Sequence, residues 1–220
     1  MPEQRGEGRI NRRQIIGERM NLDLNPAPRT VPKASQAEAM HLSIAEGGKV
    51  HALKGQHDEA LTHYREAIRL CVSSKSSEIF FRHYTQCTLE SLELSGSYHG
   101  VIEYCRNAET HFESIPFSTR SLRKDRASNL ERLGIALLKT GDHAEALEQF
   151  ERAIEIANDT SLHVAKQLTD WLKRRLTPDA ARIQQLQRKH NYFCVRKDQV
   201  DPARAKFIDP QQTLSPLGRS

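Results

Sequence analysis

The stretch NLERLGIALLKTGDHAEALEQFERAIEI, residues 129–156, predicts two antiparallel helices of similar length joined at a glycine. Leu130, Leu133 and Leu137 are spaced so that they share one face of the first helix. A second series shares one face of the next helix: Ala146, Leu147, Phe150, Ala153 and Ile154. Spacings of three and four residues place side chains on one helical stripe, so each helix is expected to bury a single face.

Glycines and a capping pair mark the middle and the turn of this hairpin. Gly134 lies inside the first helix, where glycine costs about 1 kcal/mol relative to alanine, which favours a close approach of a neighbouring helix. Gly141 is suited to end that helix in the left-handed conformation. Asp142 and Glu145 then predict a capping box for the second helix, with the aspartate accepting from early amides and the glutamate reaching back.

Two further copies follow the same template. Residues 44–70 carry glycines at positions 48 and 55, with Ala60, Tyr64 and Ala67 in the small–aromatic–small series. In the middle copy Gly96 is the turn glycine, but Leu89 stands where the other copies have their mid-helix glycine. The pattern resembles the tetratricopeptide repeat (TPR) family over residues 41–157, although the turn glycines at 55, 96 and 141 are farther apart than the family's unit of about 34 residues.

The sequence predicts an all-α fold, a TPR-like α-solenoid of three helical hairpins plus two C-terminal capping helices. The hairpins are expected at about 35–72, 77–115 and 121–157, and the capping helices at about 160–176 and 178–190. We expect flexible tails at both ends, an N-terminal segment at 1–34 and a basic, proline-containing tail at 191–220. Residues 11–22 fit either a weakly ordered tail or a short helix that docks on a partner or on the chain's own groove.

Composition and charge limit the classes of function. The mean hydropathy of −0.66 suits a solenoid that exposes both faces. Residues 41–160 hold 14 Lys and Arg against 18 Asp and Glu, whereas residues 161–220 hold 12 against 5. An acidic repeat region therefore precedes a basic C-terminal third. With no apolar segment resembling a signal peptide or a membrane span, we expect a cytoplasmic protein.

The sequence offers no constellation for catalysis, metal binding or a cofactor. Histidines at 41, 51, 57 and 63 form neither HxxxH nor HExxH, and the four cysteines show no CxxC or Cys/His ligand spacing. Cys87 and Cys105 fall on apolar helical faces, where a reduced cysteine acts as a small hydrophobe. We therefore predict no enzyme activity, no metal site and no cofactor.

The resemblance implies a binding site on the concave face, where the first helices of successive TPR hairpins receive a partner segment. Carried onto this chain by spacing from the turn glycines, the residues facing that groove are Leu42, Ala45, Lys49, Ala52, His83, Gln86, Glu90, Glu93, Ser128, Glu131, Arg132, Ile135 and Lys139. Lys49, Arg132 and Lys139 have the charge that chaperone-binding TPRs use to hold a terminal carboxylate, but no asparagine accompanies them.

A second candidate is a basic patch in the C-terminal third, formed by Lys173, Arg174, Arg175, Arg182, Arg188 and Lys189. Basic residues interleaved with aromatic ones are able to bind nucleic-acid phosphates and stack on bases. The same charge also suits a protein partner, a solvated capping unit or intramolecular docking against the acidic repeats.

The leading hypothesis is a non-enzymatic adaptor, scaffold or co-chaperone that holds a protein or peptide partner in the concave face. A nucleic-acid-associated regulator is the alternative, and a secretion-type chaperone is a third reading. The sequence leaves a homodimer open. It also leaves open whether the N-terminal segment or the basic tail docks on the groove.

Overall fold

The computed structural model describes residues 34–115, 119–158 and 162–209. Within these ranges the chain forms eight α-helices and no β-strand. They are α1 (Ala34–Leu53), α2 (His57–Ser73), α3 (Glu78–Leu94), α4 (Tyr98–Glu113), α5 (Arg120–Thr140), α6 (His143–Ala157), α7 (His163–Lys173) and α8 (Ala180–Lys189). The predicted all-α fold of three hairpins and two further helices is confirmed. The predicted helix at 11–22 lies outside the described residues.

The three turn glycines have the conformation that the sequence predicts. Gly55, Gly96 and Gly141 have φ angles of +76°, +82° and +93°, a region that side chains with a Cβ rarely adopt. Each follows the first helix of its hairpin and reverses the chain direction within a few residues. The α1–α2, α3–α4 and α5–α6 hairpins are therefore closed by the same backbone device.

The predicted capping box at the start of α6 forms only in one direction. The Asp142 carboxylate accepts a hydrogen bond from the Glu145 amide at 3.1 Å. The Glu145 carboxylate does not reach back, because it accepts two hydrogen bonds of 2.8 Å from the Arg106 guanidinium of α4. The Asp142 amide is satisfied instead by the Leu137 carbonyl at 3.0 Å. An interhelical ion pair has replaced half of a local motif.

The mid-helix glycines lie where two helices touch. A Cβ at Gly134 would come within 2.6 Å of the Phe150 ring, and one at Gly48 within 2.6 Å of the Tyr64 ring. Both rings are fully buried. The missing side chains therefore allow α1 to pack closely against α2 and α5 against α6.

The two C-terminal helices extend the core of the third hairpin. Ala165 and Leu168 of α7 and Ile183 of α8 are fully buried in the same apolar cluster as Leu130 and Phe150. The sequence predicts the second of these helices at about 178–190. It starts at Ala180, where the Asp179 carboxylate caps it by accepting from the Arg182 amide at 2.7 Å. The first of them, expected to reach about residue 176, ends at Lys173, and Leu176 beyond it is 48% exposed.

Residues 191–209 differ from the predicted flexible tail. This C-terminal segment contains two short 3-10 turns, Lys197–Gln199 and Pro202–Arg204, and runs back from α8 to α1. Phe193 and Val195 are buried, at 7% and 8% exposure. Val195 packs with Ala60, Tyr64 and Cys87, so the segment lies against the first two hairpins. The remaining residues of the tail, 210–220, lie outside the described part.

Candidate functional site

The first helices of the hairpins, α1, α3 and α5, carry the residues predicted to face a groove. The structure buries five of them in α3 and α5: Glu90, Glu93, Glu131, Arg132 and Ile135. Ala45 of α1 is also buried, whereas Gln86 is exposed. The remaining predicted residues are partly exposed: Leu42, Lys49, Ala52, His83, Ser128 and Lys139. Burial of four charged side chains indicates that part of the predicted groove is occupied by the chain itself.

The C-terminal segment is the occupant of the α3 part of this face. The Glu90 carboxylate accepts hydrogen bonds from the backbone amides of Cys194, at 2.7 Å, and Val195, at 3.2 Å. Burial raises the pKa of Glu90 to about 7, although the hydrogen bonds from Cys194 oppose that shift. Glu90 thus acts as an internal anchor for the segment's backbone.

Farther along, the C-terminal segment crosses α1. The Asp201 amide donates to the Glu46 carboxylate at 2.6 Å, and the Lys206 amide donates to the Ser43 carbonyl at 2.8 Å. A Cβ at Gly47 would lie 2.4 Å from the Lys206 carbonyl oxygen, so only glycine permits this crossing. The glycine pair at 47 and 48 therefore has two roles, one toward this segment and one toward α2.

A buried charge network joins α3, α5 and α8 beneath the segment. The Glu93 carboxylate accepts from Lys139 Nζ at 2.8 Å and from Gln187 Nε2 at 2.6 Å. Arg132 lies 3.6 Å from Glu93 and 5.2 Å from the centre of the Tyr192 ring. Buried charges are tolerated only when they are paired, so these side chains are committed to one another.

The three cations expected of a carboxylate clamp have intramolecular partners. Lys49 pairs with Glu46 at 3.1 Å, Lys139 pairs with Glu93, and Arg132 donates to the Gln86 amide oxygen at 3.1 Å. Binding a partner's carboxylate would require breaking these contacts. This arrangement argues against a clamp.

The middle hairpin is open. Helices α3 and α4 pack together far less extensively than the helices of the first and third hairpins. The cleft around α3 has a volume of about 670 Å³. Leu89, which replaces the mid-helix glycine, lines the cleft and is 2% exposed. The two closely packed hairpins have a glycine at this position, each in contact range of a buried aromatic ring.

The lining of this cleft is apolar inside and charged at its edge. Its apolar residues include Leu61, Ile68, Phe81, Leu92, Tyr104 and Phe112. Exposed charges of both signs line it at Arg65, Glu103 and Lys124. Four of the residues predicted to bind a partner also line it: Gln86, Ser128, Glu131 and Arg132.

Glu131 has an unusual environment at the inner side of the cleft. It is 6% exposed, and burial raises its pKa to about 7. The Ala165 amide, which donates to its carboxylate at 2.9 Å, and the neighbouring Arg132 oppose this shift. Near neutral pH this carboxyl group is therefore present in both its protonated and its ionised form.

A thiol–imidazole cluster, which is not apparent from the sequence, lies between α3 and the C-terminal segment. Cys87 Sγ is 3.8 Å from His83 Nε2 and 3.7 Å from Cys194 Sγ. The contacts with Cys194 and His83 lower the pKa of Cys87 against the effect of its burial. His83 and Cys87 share a helix face because they are four residues apart, but Cys194 is 107 positions away and has no local signal.

The predicted basic patch lies on α7, α8 and the loop between them. All six side chains are exposed: Lys173, Arg174, Arg175, Arg182, Arg188 and Lys189. Lys173 pairs with Glu151 at 2.8 Å and Arg174 with Asp170 at 3.0 Å, while Arg182 lies 4.5 Å above the Trp171 ring. The patch is a dispersed surface rather than a converging site.

Comparison with protein families finds a match in the third hairpin. Residues 127–160 match the family model described as the tetratricopeptide repeat. The resemblance to the TPR family is confirmed. It covers α5 and α6, the two helices with the most regular pattern, and it identifies no particular protein. Neither the curated proteins nor the solved structures include a match to this chain.

The comparison supports a role in protein–protein interaction, the usual role of TPR hairpins. Among the described helices, none has the length and apolar character needed to cross a membrane.

Proposed function

We propose that this protein is a non-enzymatic adaptor of the TPR type that holds a short, largely apolar partner segment in the cleft around α3. The cleft carries this proposal, because it is a preformed opening of about 670 Å³ within a fold whose hairpins are otherwise closely packed. That volume falls within the range of about 300–1,000 Å³ typical of ligand pockets.

The chemistry of the cleft selects the kind of partner. Its floor offers leucine, isoleucine and aromatic side chains, which suits the apolar anchors of an amphipathic helix or short peptide. Arg65, Glu103 and Lys124 at the edge offer charge contacts of both signs. A partner segment with apolar anchors flanked by polar residues fits this combination.

The cleft also divides the predicted concave site into two parts. Gln86 and Ser128 line the cleft with at least part of their side chains exposed, and they are the residues that we expect to contact the partner. Arg132 also lines the cleft, but it is buried and held by Glu93 and Gln86. The α1 part of the predicted site, which includes Leu42 and Lys49, lies beside the crossing of the C-terminal segment at Ser43 and Glu46. Access to that part requires the segment to move.

We propose that the adaptor acts in the cytoplasm.

Gly100→Leu tests the cleft directly. Gly100 lines the cleft in the first turn of α4, and an added Cβ there meets only the Leu92 side chain, at 3.9 Å. A leucine would project into the opening and obstruct part of it without disturbing the core, so the thermal midpoint is expected to stay the same or rise. Selection from a displayed library of random peptides should enrich an apolar consensus with the original protein and lose it with Gly100→Leu.

Ala144→Leu is the matched control, since Ala144 is exposed on α6, away from the cleft. It adds the same kind of side chain and should leave the enriched consensus unchanged. Equal enrichment by Gly100→Leu and the original protein would contradict the cleft as the site. Capture of the tagged protein from its native cells, with and without nuclease, separates a protein partner from nucleic acid bound to the basic patch.

A further inference from the structure

Three soft metal-binding side chains meet where the C-terminal segment crosses α3. The Nε2 atom of His83 and the Sγ atoms of Cys87 and Cys194 all lie within 4.8 Å of one another. We propose that His83, Cys87 and Cys194 bind one zinc ion, which ties the C-terminal segment to the concave face. Thiolate and imidazole ligands together are the donor set that Zn²⁺ prefers.

The distances suit a tetrahedral ion. Zn–S bonds of about 2.3 Å at tetrahedral angles place two sulfur ligands about 3.8 Å apart. Cys87 Sγ and Cys194 Sγ are 3.7 Å apart, and Cys87 Sγ is 3.8 Å from His83 Nε2. A disulfide would require the two sulfurs to approach to about 2.05 Å. The observed spacing therefore matches two edges of a metal tetrahedron better than it matches a covalent bond.

The surroundings supply polar support of the kind seen around metal ligands. Glu90 fixes the backbone of Cys194 by accepting from its amide at 2.7 Å. Tyr64 is 0% exposed and lies in the same buried cluster as Cys87, with Cys194 packed against it. Its hydroxyl has no hydrogen-bond partner among the described residues. A metal-bound thiolate, or a water molecule in the fourth position, would satisfy this buried group.

Binding needs no change of oxidation state. Each cysteine thiol releases one proton to solvent as its sulfur bonds to Zn²⁺, and neutral His83 donates its Nε2 lone pair. The ion would join positions 107 residues apart and hold the segment over α3. Access to the concave face then depends on the metal.

Cobalt titration of the fully reduced, full-length protein is the test. We expect one equivalent of Co²⁺ per chain, with the thiolate charge-transfer absorption of a tetrahedral site, and its displacement by Zn²⁺. Cys194→Ala and His83→Gln change partly exposed positions and should each weaken binding at least about tenfold. Cys71→Ser, a buried cysteine outside the cluster, is the control and should bind as the original protein does.

Limited trypsin digestion measures whether the metal holds the C-terminal segment against the helices. Zn²⁺ should slow cleavage after Arg196, Lys197 and Arg204 in the original protein but not in Cys194→Ala. Cleavage after Lys173 and Arg174 should not respond to the metal. Absence of Co²⁺ binding to the reduced protein, or equal binding by Cys194→Ala, would overturn the proposal. A Cys87–Cys194 disulfide in a protein that binds no metal when reduced would do the same.

Discussion

At the scale of single residues, burial decides which charged side chains of the concave face are available. Glu93 and Lys139 were expected to face a groove, yet they form a 2.8 Å ion pair with side-chain exposures of 0% and 3%. Removing one partner of such a pair leaves a desolvated charge, which typically costs about 3–5 kcal/mol. A loss of partner binding on substituting either residue would therefore report misfolding as readily as a lost contact.

Glu131→Gln is the residue-scale prediction, and it concerns pH. Burial raises the pKa of Glu131 from 4.5 to about 7, so the folded state favours the protonated form. Its stabilising contribution is complete below pH about 4.5 and is lost as pH rises through about 7. Glutamine keeps an acceptor for the Ala165 amide and cannot ionise. Relative to the original protein, the variant should gain on the order of 2–3 kcal/mol over this pH range.

Urea unfolding at several pH values measures this difference. Glu90 changes stability with the same sign, because burial also raises its pKa to about 7, so the pH dependence should shrink rather than vanish. Glu148→Gln on the exposed face of α6 is the control and should follow the original protein at every pH. If the two proteins differ in their free energy of unfolding by the same amount at every pH, the raised pKa of Glu131 is contradicted.

At the scale of elements, the close packing of the two helices in the first and third hairpins depends on one glycine in each. Gly134 lets α5 approach the Phe150 ring of α6, and Gly48 does the same for Tyr64 in the first hairpin. In the middle hairpin Leu89 stands at the same position and lines the cleft. The same repeat template thus gives two closely packed hairpins and one that packs less extensively.

Gly134→Ala tests the contact within the third hairpin. The added Cβ would lie 2.6 Å from a fully buried ring, so either α5 or Phe150 has to shift. Overpacking of this kind costs about 1–3 kcal/mol, and the better helix propensity of alanine returns up to about 1 kcal/mol. We expect a net loss of ~1–2 kcal/mol in the free energy of unfolding.

Gly100→Ala is the matched control for this helical glycine. Its Cβ would meet the Leu92 side chain at an ordinary 3.9 Å, so stability should be unchanged or slightly higher. A Gly134→Ala protein as stable as the Gly100→Ala protein would show that the ring has room to move.

At the scale of the whole molecule, the C-terminal segment connects helices that a simple repeat array would keep apart. In a solenoid each hairpin contacts only its neighbours. Here the backbone amides of Asp201 and Lys206 hydrogen-bond to α1, and those of Cys194 and Val195 hydrogen-bond to α3. The segment makes these contacts although it follows α7 and α8, which pack on the third hairpin. The segment links the first hairpin to the last element of the array.

Deleting residues 191–220 tests this linkage. Loss of buried Phe193 and Val195 should lower the free energy of unfolding by about 3–6 kcal/mol, at about 1.5–3 kcal/mol for each buried side chain. The unfolding transition should also broaden, because the first hairpin loses its contacts with the C-terminal segment. Deleting only residues 210–220 removes none of these contacts and is the control. Identical urea midpoints for the two deletions would contradict the linkage.

The sequence by itself determined the helices and their pairing into hairpins. Apolar spacings of three and four, a glycine at each turn and a capping aspartate act within a few residues of one another, so they are legible without the fold. Leu89 in place of a glycine was visible too, but the less extensive packing of α3 against α4 was not.

Only the tertiary structure decided which surfaces are free and which are internal. The Glu90–Cys194 hydrogen bond spans 104 positions and the Cys87–Cys194 contact spans 107. Nothing in local spacing records such a pairing. Charged residues at helical spacing look the same whether they face solvent, a partner or the chain's own C-terminal segment. Burial separates these cases, and burial depends on where the last part of the chain packs.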